Sequence, residues 1–268
     1  MTDAPRDIPS KRPITVAERR FAEREAELRA LDLPGRFARI HETNLWDNAE
    51  SRSGDGSSLA STAHLRAELP TLLQSLGVTT LLDVPCGDFH WMSHVDLAGA
   101  GVTQYLGGDI VDAIVAANTA RYATPSRAFA RVDLTTGPLP SVAGRAADAL
   151  LCRDCFVHFS YANIARAIEV LRTSGVRYLI TTTFLDRSTN DDIEDGNWRP
   201  LALTRPPFDF PAPLATLLER CEEEGGAYAD KALSAWLVAD LPHQNRTVSS
   251  QRMLKGTVSK GFDVSSSM

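Results

Sequence analysis

The sequence predicts an α/β protein built on a doubly wound, mostly parallel seven-stranded sheet, with an N-terminal helical extension and a lid segment. Short apolar strands alternate with amphipathic helices between residues 79 and 185, which is typical of a parallel sheet covered on both faces. The first of these strands ends in an acidic residue, Asp83, and a tight turn follows directly. Beyond residue 185 the alternation stops in a segment with five prolines, which predicts a separate role for that part of the chain.

The first 78 residues divide into a tail and a helical extension. Residues 1–13 are polar and proline-rich, so we expect them to be disordered. Residues 14–78 form the extension, with helices predicted over 15–33 and 62–78. Thr15 and Glu18 have the spacing of a capping box at the start of the first helix, and Gly77 is a suitable stop for the second.

Residues 79–242 are predicted to form the core of the protein. The segment 186–213 interrupts this core as a lid, and residues 243–268 follow it as a polar, serine-rich tail. Strands are predicted over 79–84, 103–110, 126–134, 146–154, 176–185 and 231–242. Helices are predicted over 91–100, 111–123, 161–175 and 214–226.

Composition and charge exclude several classes of function. The chain has 268 residues, a formal net charge of −6 and no long basic run, so we expect no nucleic-acid partner. No apolar run approaches the roughly 20 residues that span a bilayer, and the N-terminus lacks the apolar region of a signal peptide. Four cysteines are few for a disulfide framework in a chain of this length. We therefore expect a cytoplasmic protein without a membrane partner.

A C-x-x-C motif at Cys152 and Cys155 raises the question of a metal or redox site. The motif lies at the end of a predicted strand and has no second C-x-x-C pair, whereas a structural zinc needs four ligands. A free cysteine often behaves as a small apolar residue. We therefore expect Cys152 to face the core, and we expect no metal.

The loop after the first strand is a candidate ligand site, since open parallel sheets bind ligands beyond the carboxyl ends of their strands. It reads Asp83-Val84-Pro85-Cys86-Gly87-Asp88-Phe89. A dinucleotide site usually carries Gly-x-Gly-x-x-Gly, but here Gly87 is the one glycine of the turn. The carboxylate of Asp83 would also repel a phosphate.

This loop resembles motif I of the class I S-adenosylmethionine-dependent methyltransferases, where an acid is followed by three alternate small residues. The middle glycine is kept here, while Pro85 and Phe89 stand in place of the outer two. The resemblance implies a Rossmann-like sheet of the class I methyltransferase type, with S-adenosyl-L-methionine as cofactor. It also implies that Asp83, Pro85, Cys86 and Gly87 bind that cofactor.

The ends of the next two strands continue the resemblance. Asp109 ends the second strand, where an acid of the family takes the two ribose hydroxyls, and Ile110 would then lie beside the adenine. Asp133 and Leu134 end the third strand, at the position that reads the adenine amino group. Asp109 as a helix cap and Asp133 as a turn residue remain alternatives.

The fourth strand runs into "RDCFVHFS", which resembles motif IV, whose end faces the transferred methyl group. The resemblance makes Arg153 a cofactor contact and brings Asp154 and His158 to the reacting centre. Either could act as a general base, and His158 has a reference pKa near neutrality. His158 could instead cap the following helix or pack beneath the lid.

Candidate substrate contacts lie in the lid and beside motif I. Trp198, Arg199 and Asp192 belong to the lid, and His90 follows motif I closely. Acids in the lid favour a cationic substrate. The Gly/Ser loop 53–58 could supply backbone N–H groups to a carboxylate of the cofactor or the substrate, and Trp46 could pack against the cofactor or the lid.

These observations together predict a methyltransferase that acts on a small polar molecule, in a biosynthetic pathway, by N- or O-methylation. A sugar or glycan O-methyltransferase is a variant within the same class. Two alternatives from other classes are a nicotinamide-dependent oxidoreductase and a non-catalytic binding module, the latter because Phe89 could obstruct the cofactor site. We expect a small-molecule partner and allow for a homodimer.

Overall fold

The computed structural model describes residues 12–243. Most of the two predicted tails, 1–13 and 243–268, lies outside the described residues. Arg12 and Pro13 are described, and both contact the rest of the chain. Arg12 pairs with Glu18 at 2.7 Å, and the hydroxyl of Tyr228 donates to the carbonyl of Pro13 at 2.8 Å.

The centre of the molecule is the predicted seven-stranded sheet, in the order β3-β2-β1-β4-β5-β7-β6. Strands β1 to β5 run parallel, and β7 lies antiparallel between β5 and β6. The fold class predicted from the sequence is therefore confirmed. The strands are β1 (Thr80–Asp83), β2 (Gln104–Asp109), β3 (Arg127–Arg131), β4 (Ala149–Cys152), β5 (Tyr178–Phe184), β6 (Ala215–Leu218) and β7 (Lys231–Leu237).

The central strands are buried on both faces, because successive side chains point to opposite sides of the sheet. Leu82 packs in an apolar cluster on one face, with Leu150 and Ile164. Its neighbour Leu81 packs in a cluster on the other face, with Leu65. The longer helices are α1 (Val16–Glu23), α2 (Glu25–Arg29), α3 (Leu33–Glu42), α4 (Ala63–Ser75), α5 (Asp112–Tyr122) and α6 (Tyr161–Arg172). No helix among residues 12–243 is long and apolar enough to cross a membrane.

The N-terminal helices follow local signals, with one departure from the prediction. The capping box of Thr15 and Glu18 is present at the start of α1. The predicted helix 15–33 breaks at Arg24, where φ is −118° and ψ 12°, and a further helix, α3, follows that was not predicted. Gly77 ends α4 at φ +66°, as expected.

Two predicted helices do not form over their predicted lengths. Residues 91–100 contain only a 3₁₀ turn at Met92–His94, and a second turn follows in which Asp96 accepts a hydrogen bond from the backbone of Gly99 at 2.8 Å. The prediction of a helix over 214–226 was wrong for most of the segment, because it contains β6, and only Glu223–Gly226 forms a short helical turn. The side chains of β6 alternate between half-buried and exposed, and its backbone pairs with β7, so the sheet ladder overrides the helical propensity of the sequence.

The segment 186–213 has no helix or strand, as predicted, but much of it packs into the core. Leu201, Leu203, Phe208 and Phe210 are buried in the same cluster as α6. This half of the segment therefore forms part of the folded body.

Candidate active site

A cleft of about 1030 Å³, open space at its mouth included, lies at the carboxyl ends of β1, β2 and β4. This is the point where the strand order reverses, since β2 lies on one side of β1 and β4 on the other. The cleft brings together ten of the predicted residues, namely Asp83, Pro85, Cys86, Gly87, Asp109, Ile110, Leu134, Arg153, Asp154 and His158.

The backbone conformation of the motif I loop requires glycine at residue 87, and hydrogen bonds hold the loop in place. Gly87 has φ +53°, and a Cβ there would overlap the hydroxyl of Ser53. Its carbonyl accepts from Asn118 Nδ2 at 2.8 Å, and its N–H donates to Asp109 Oδ2 at 3.2 Å. The next residue, Asp88, accepts from the hydroxyl of Ser51 at 2.9 Å. The Gly/Ser loop is thereby attached to motif I.

Phe89 does not face the cleft, although it replaces a small residue of the family pattern. Its side chain is buried in the core and packs against Tyr105, Tyr122 and Phe129, with ring centroids 5.0–5.3 Å away. The Phe89 ring is absent from the cleft lining. Phe89, the one feature of the sequence that favoured a blocked cofactor site, therefore does not obstruct the cleft.

Two buried carboxylates face the cleft without an ion pair among the described residues. Asp109, 4% exposed, accepts from the N–H of Val111 at 3.0 Å and from that of Gly87 at 3.2 Å. Asp83, 3% exposed, accepts from the hydroxyl of Tyr105 at 2.6 Å. Burial disfavours the charged form and raises the pKa of Asp109 to about 6 and that of Asp83 to about 7.

The wall beyond Asp109 is apolar and is formed by Ile110, Val111, Ile114, Val132 and Leu134. Asp133 is not part of this wall. Its carboxylate accepts from the backbone N–H and the hydroxyl of Thr135, at 2.8 and 2.7 Å. In the structure Asp133 therefore stabilises the turn after β3, which is the alternative to adenine binding that the sequence allows.

Four charged side chains form a closed ring beside the cleft, which we call the charge ring. Arg153 contacts Glu219 at 2.7 Å, and Glu219 lies 3.5 Å from Lys231. Lys231 contacts Asp154 at 2.7 Å, and Asp154 lies 3.2 Å from Arg153. The ring is electrically neutral, and it connects the end of β4 to the C-terminal strands β6 and β7.

The charge ring determines the protonation state of Asp154. Burial acts to raise the pKa of this carboxyl, but Lys231 and Arg153 hold it far below its usual range. A carboxylate so stabilised is a poor proton acceptor at neutral pH. Asp154 therefore lines the site as a fixed negative charge, which does not suit the predicted role of general base.

His158 is held in one orientation and kept neutral. Its Nδ1 lies 2.8 Å from the carbonyl of Asn197, and its ring stacks on Trp46 with centroids 4.6 Å apart. Burial lowers the pKa of His158 to about 4. The neutral ring donates Nδ1–H to Asn197 and keeps Nε2 as an acceptor.

A second cavity, of about 850 Å³, shares Trp46, Ser53, Asp154 and His158 with the first. Trp198 lines this cavity, so Asp154, His158 and Trp198 lie around one space, as the sequence predicts. Arg199 does not join them.

The three remaining predicted substrate residues have other contacts. Arg199 is 1% exposed and donates to the carbonyls of Phe156 at 2.6 Å and Phe159 at 2.8 Å, which fixes the turn that carries His158. Asp192 accepts from the first N–H of α6, and His90 pairs with Glu50 at 2.6 Å. None of the three lines either cavity, because each satisfies a local hydrogen-bonding need instead.

Sequence reasoning missed Glu219, Lys231 and the contributions of α3. Phe37 and His41 of α3 line the cleft. Glu219 directly follows β6, in the segment that was predicted to be a helix. The one available signal was Lys231, a charged residue at the start of a strand predicted to be buried.

No known protein-family model and no curated protein sequence matches the chain. Among solved structures, the methyltransferase domain of bacterial CtHen1-C is similar at 15% identity and a TM-score of 0.40, over 47% of this chain and 67% of that one. An amino pentose methyltransferase from Micromonospora echinaspora, involved in calicheamicin biosynthesis, is 19% identical with a TM-score of 0.36, over 44% of this chain and 48% of that one.

Magnesium protoporphyrin IX methyltransferase from Synechocystis PCC 6803 is 19% identical with a TM-score of 0.35, over 47% of this chain and 57% of that one. The chain thus matches between about half and two thirds of the length of these proteins. The strand order, the antiparallel β7 and the acid at the end of β1 are features of the chain itself. By these features the chain has the Rossmann-like, mostly parallel seven-stranded sheet that the sequence predicts.

Proposed function

We propose that the protein is an S-adenosylmethionine-dependent methyltransferase that acts on a small polar molecule. The observation that carries the proposal is the pair of buried acids, Asp83 and Asp109, facing the cleft at the reversal of the strand order. Two buried carboxylates without an ion pair among residues 12–243 fit a ligand that brings hydrogen-bond donors and positive charge. S-adenosylmethionine has both, in its ribose hydroxyls and in its ammonium and sulfonium groups.

The residues present fit this cofactor. Each oxygen of Asp109 accepts one backbone N–H, which leaves lone pairs for the two ribose hydroxyls. The apolar wall that includes Ile110 and Leu134 suits a purine ring. Pro85, Cys86 and Gly87 bring backbone to the edge of the cleft, and Asp83 supplies negative charge toward the cationic end.

A nicotinamide dinucleotide fits the same cleft poorly. Its pyrophosphate would lie against a loop that carries Asp83 and Asp88. The negative charges of these carboxylates and of the pyrophosphate repel each other. The glycine-rich turn that binds pyrophosphate is also absent from the loop.

When bound, the cofactor supplies an electrophilic methyl group, and the chain has to bind, align and desolvate the reactants. Trp46, His158 and Asp154 lie where the two cavities meet. His158 Nε2 can accept a hydrogen bond from the acceptor and steer its proton. Thr15–Ala17 and the loop 53–56 form part of the wall of the second cavity.

We further propose the type of acceptor and the setting in which the protein acts. The acceptor is a small molecule, methylated on nitrogen or oxygen, and a sugar or glycan hydroxyl is a variant of the same reaction. A biosynthetic role, a cytoplasmic location and a homodimer are further parts of the proposal, as is the absence of nucleic-acid and membrane partners. Gel filtration with light scattering tests the homodimer.

Calorimetry with S-adenosylhomocysteine and with NADH tests the central proposal. We expect S-adenosylhomocysteine to bind and NADH not to bind. Asp109→Ala should weaken the binding of S-adenosylhomocysteine by more than tenfold, since hydrogen bonds to a charged group are worth about 1.5–3 kcal/mol each. Asp112→Ala is the matched control, because Asp112 is exposed and pairs with Arg131. Unchanged affinity in a folded Asp109→Ala protein contradicts the assignment, and NADH binding favours the oxidoreductase alternative.

A further inference from the structure

The second cavity combines aromatic walls with acids. Phe184, Trp198 and Tyr228 stand edge-on to one another, with centroids 4.9 Å apart for Trp198 and Tyr228 and 6.1 Å for Phe184 and Trp198. We call these three rings the aromatic trio. The acids that line the same cavity are Asp55, Asp154, Glu223 and Glu224, and the single basic side chain in the lining is Lys231.

The charge balance of this cavity is negative. Lys231 is bound within the charge ring, whose two cations and two carboxylates cancel. His158 is neutral, because its pKa is lowered to about 4. The carboxylates of Asp55, Glu223 and Glu224 therefore remain without a compensating cation in the lining, and the cavity favours a positively charged occupant.

Glu223 is the carboxylate best placed to meet such an occupant. Within residues 12–243 its side chain makes no hydrogen bond or ion pair, and burial raises the pKa of its carboxyl. A Cβ at residue 56 would lie 3.2 Å from Asp154 Oδ2, 3.4 Å from Lys231 Nζ and 3.6 Å from Glu223 Oε1. Two carboxylate oxygens and the ammonium group of Lys231 therefore converge at Gly56, and Lys231 is bound to Asp154 and not to Glu223.

A second polar group at this site lacks a partner. The indole N–H of Trp46 is buried and has no acceptor within the described part of the chain, and Trp46 lines both cavities. A buried donor without an acceptor is costly to the fold. An oxygen atom on a bound ligand would satisfy it.

We propose that the second cavity binds the methyl acceptor and that this acceptor is a small amine that is cationic in solution. Its ammonium group pairs with Glu223, its apolar part lies against the aromatic trio, and an oxygen atom accepts from Trp46. This inference rests on the proposed function and narrows its substrate class to amines.

The reaction then balances as an N-methylation. The amine reacts as its free base, after it has lost one proton to solvent, and a remaining N–H can donate a hydrogen bond to His158 Nε2. The nitrogen lone pair forms the N–C bond while the C–S bond of the methyl sulfonium breaks. The sulfur leaves with that electron pair as a neutral thioether, and the products are the methylated amine, S-adenosylhomocysteine and one proton.

The test compares benzylamine with benzyl alcohol, which are close in size and shape but differ in charge at neutral pH. Binding of each is measured by calorimetry in the presence of S-adenosylhomocysteine. The proteins are the wild type, Glu223→Gln and Glu222→Gln. Glu222 is exposed and lies outside the lining of both cavities, so Glu222→Gln is the matched control.

We expect the wild type and Glu222→Gln to bind benzylamine at least tenfold more tightly than benzyl alcohol. Glu223→Gln should bring the two affinities close together and leave the affinity for S-adenosylhomocysteine unchanged. Equal affinities in the wild type, or a preference that survives Glu223→Gln, overturn the proposal. Titration of S-adenosylhomocysteine into the same proteins separates this result from a failure of cofactor binding, which overturns the methyltransferase proposal instead.

Discussion

Replacing Glu219 by glutamine removes one charge from the charge ring. The side chains of Glu219, Arg153 and Lys231 are 2%, 4% and 8% exposed, so the loss leaves a net positive charge in a buried place. Breaking a buried ion pair by removing one partner costs about 3–5 kcal/mol. Asp154 stays within 3.2 Å of Arg153 and 2.7 Å of Lys231, and we therefore expect the lower end, about 3 kcal/mol.

Urea unfolding at neutral pH measures this loss. With a urea m-value of roughly 2–3 kcal/mol/M, the midpoint of Glu219→Gln should fall by about 1–1.5 M. The melting temperature should fall by roughly 6–12 °C for a domain of this size. The exposed Glu222→Gln serves as control and should stay within about 0.5 kcal/mol of the wild type.

A double-mutant cycle identifies the cause. Arg153→Gln combined with Glu219→Gln leaves the pair of Asp154 and Lys231, which is neutral. The double variant should therefore lose less stability than the sum of the single variants. A loss below about 1 kcal/mol in Glu219→Gln, or strict additivity in the cycle, would refute the reasoning that the ring is a coupled, buried unit.

Two further predictions concern proton chemistry. His158→Asn keeps a donor toward Asn197 but removes the Nε2 acceptor. Turnover should therefore fall by about a hundredfold, while the affinity for S-adenosylhomocysteine stays nearly unchanged. A parallel loss of melting temperature and of that affinity would mark a structural role instead. The folded-state pKa of Asp83, about 7, lies above its ordinary value, so between about pH 4 and pH 7 the folded protein holds a proton that the unfolded chain has released. Stability without cofactor should therefore fall as pH rises across this window. Asp83→Asn should remove that part of the pH dependence in urea unfolding at pH 5 and pH 8, and an identical slope in both proteins contradicts the assignment.

Local patterns were sufficient for most of the fold. Apolar runs of the right length predicted six of the seven strands, and the capping box of Thr15 and Glu18 was read correctly. Motif I and Asp109 predicted the cleft, because parallel strands place their carboxyl ends at one edge of the sheet. Each of these features depends on residues that are neighbours in sequence or lie at the ends of adjacent strands.

The remaining features depend on partners far apart in the chain. The segment of β6 has the composition of a helix, and it becomes a strand because β7 offers a ladder of backbone hydrogen bonds. Arg199 carries a charge that suggests a substrate contact, but backbone carbonyls of the turn at His158 surround it in the folded chain. Such competition is invisible in a local window of sequence.

The sequence by itself determined the fold class, the edge of the sheet at which the cleft lies and the acids at its strand ends, since these follow from periodicity and from the order of the strands. Only the tertiary structure decided how the charges are paired. Arg153 and Glu219 are separated by 66 residues and meet because β4 and the C-terminal strands converge on one side of the cleft. That pairing fixes Asp154 as a carboxylate and leaves Glu223 unpaired within the described chain, and no pattern of neighbouring residues encodes either result.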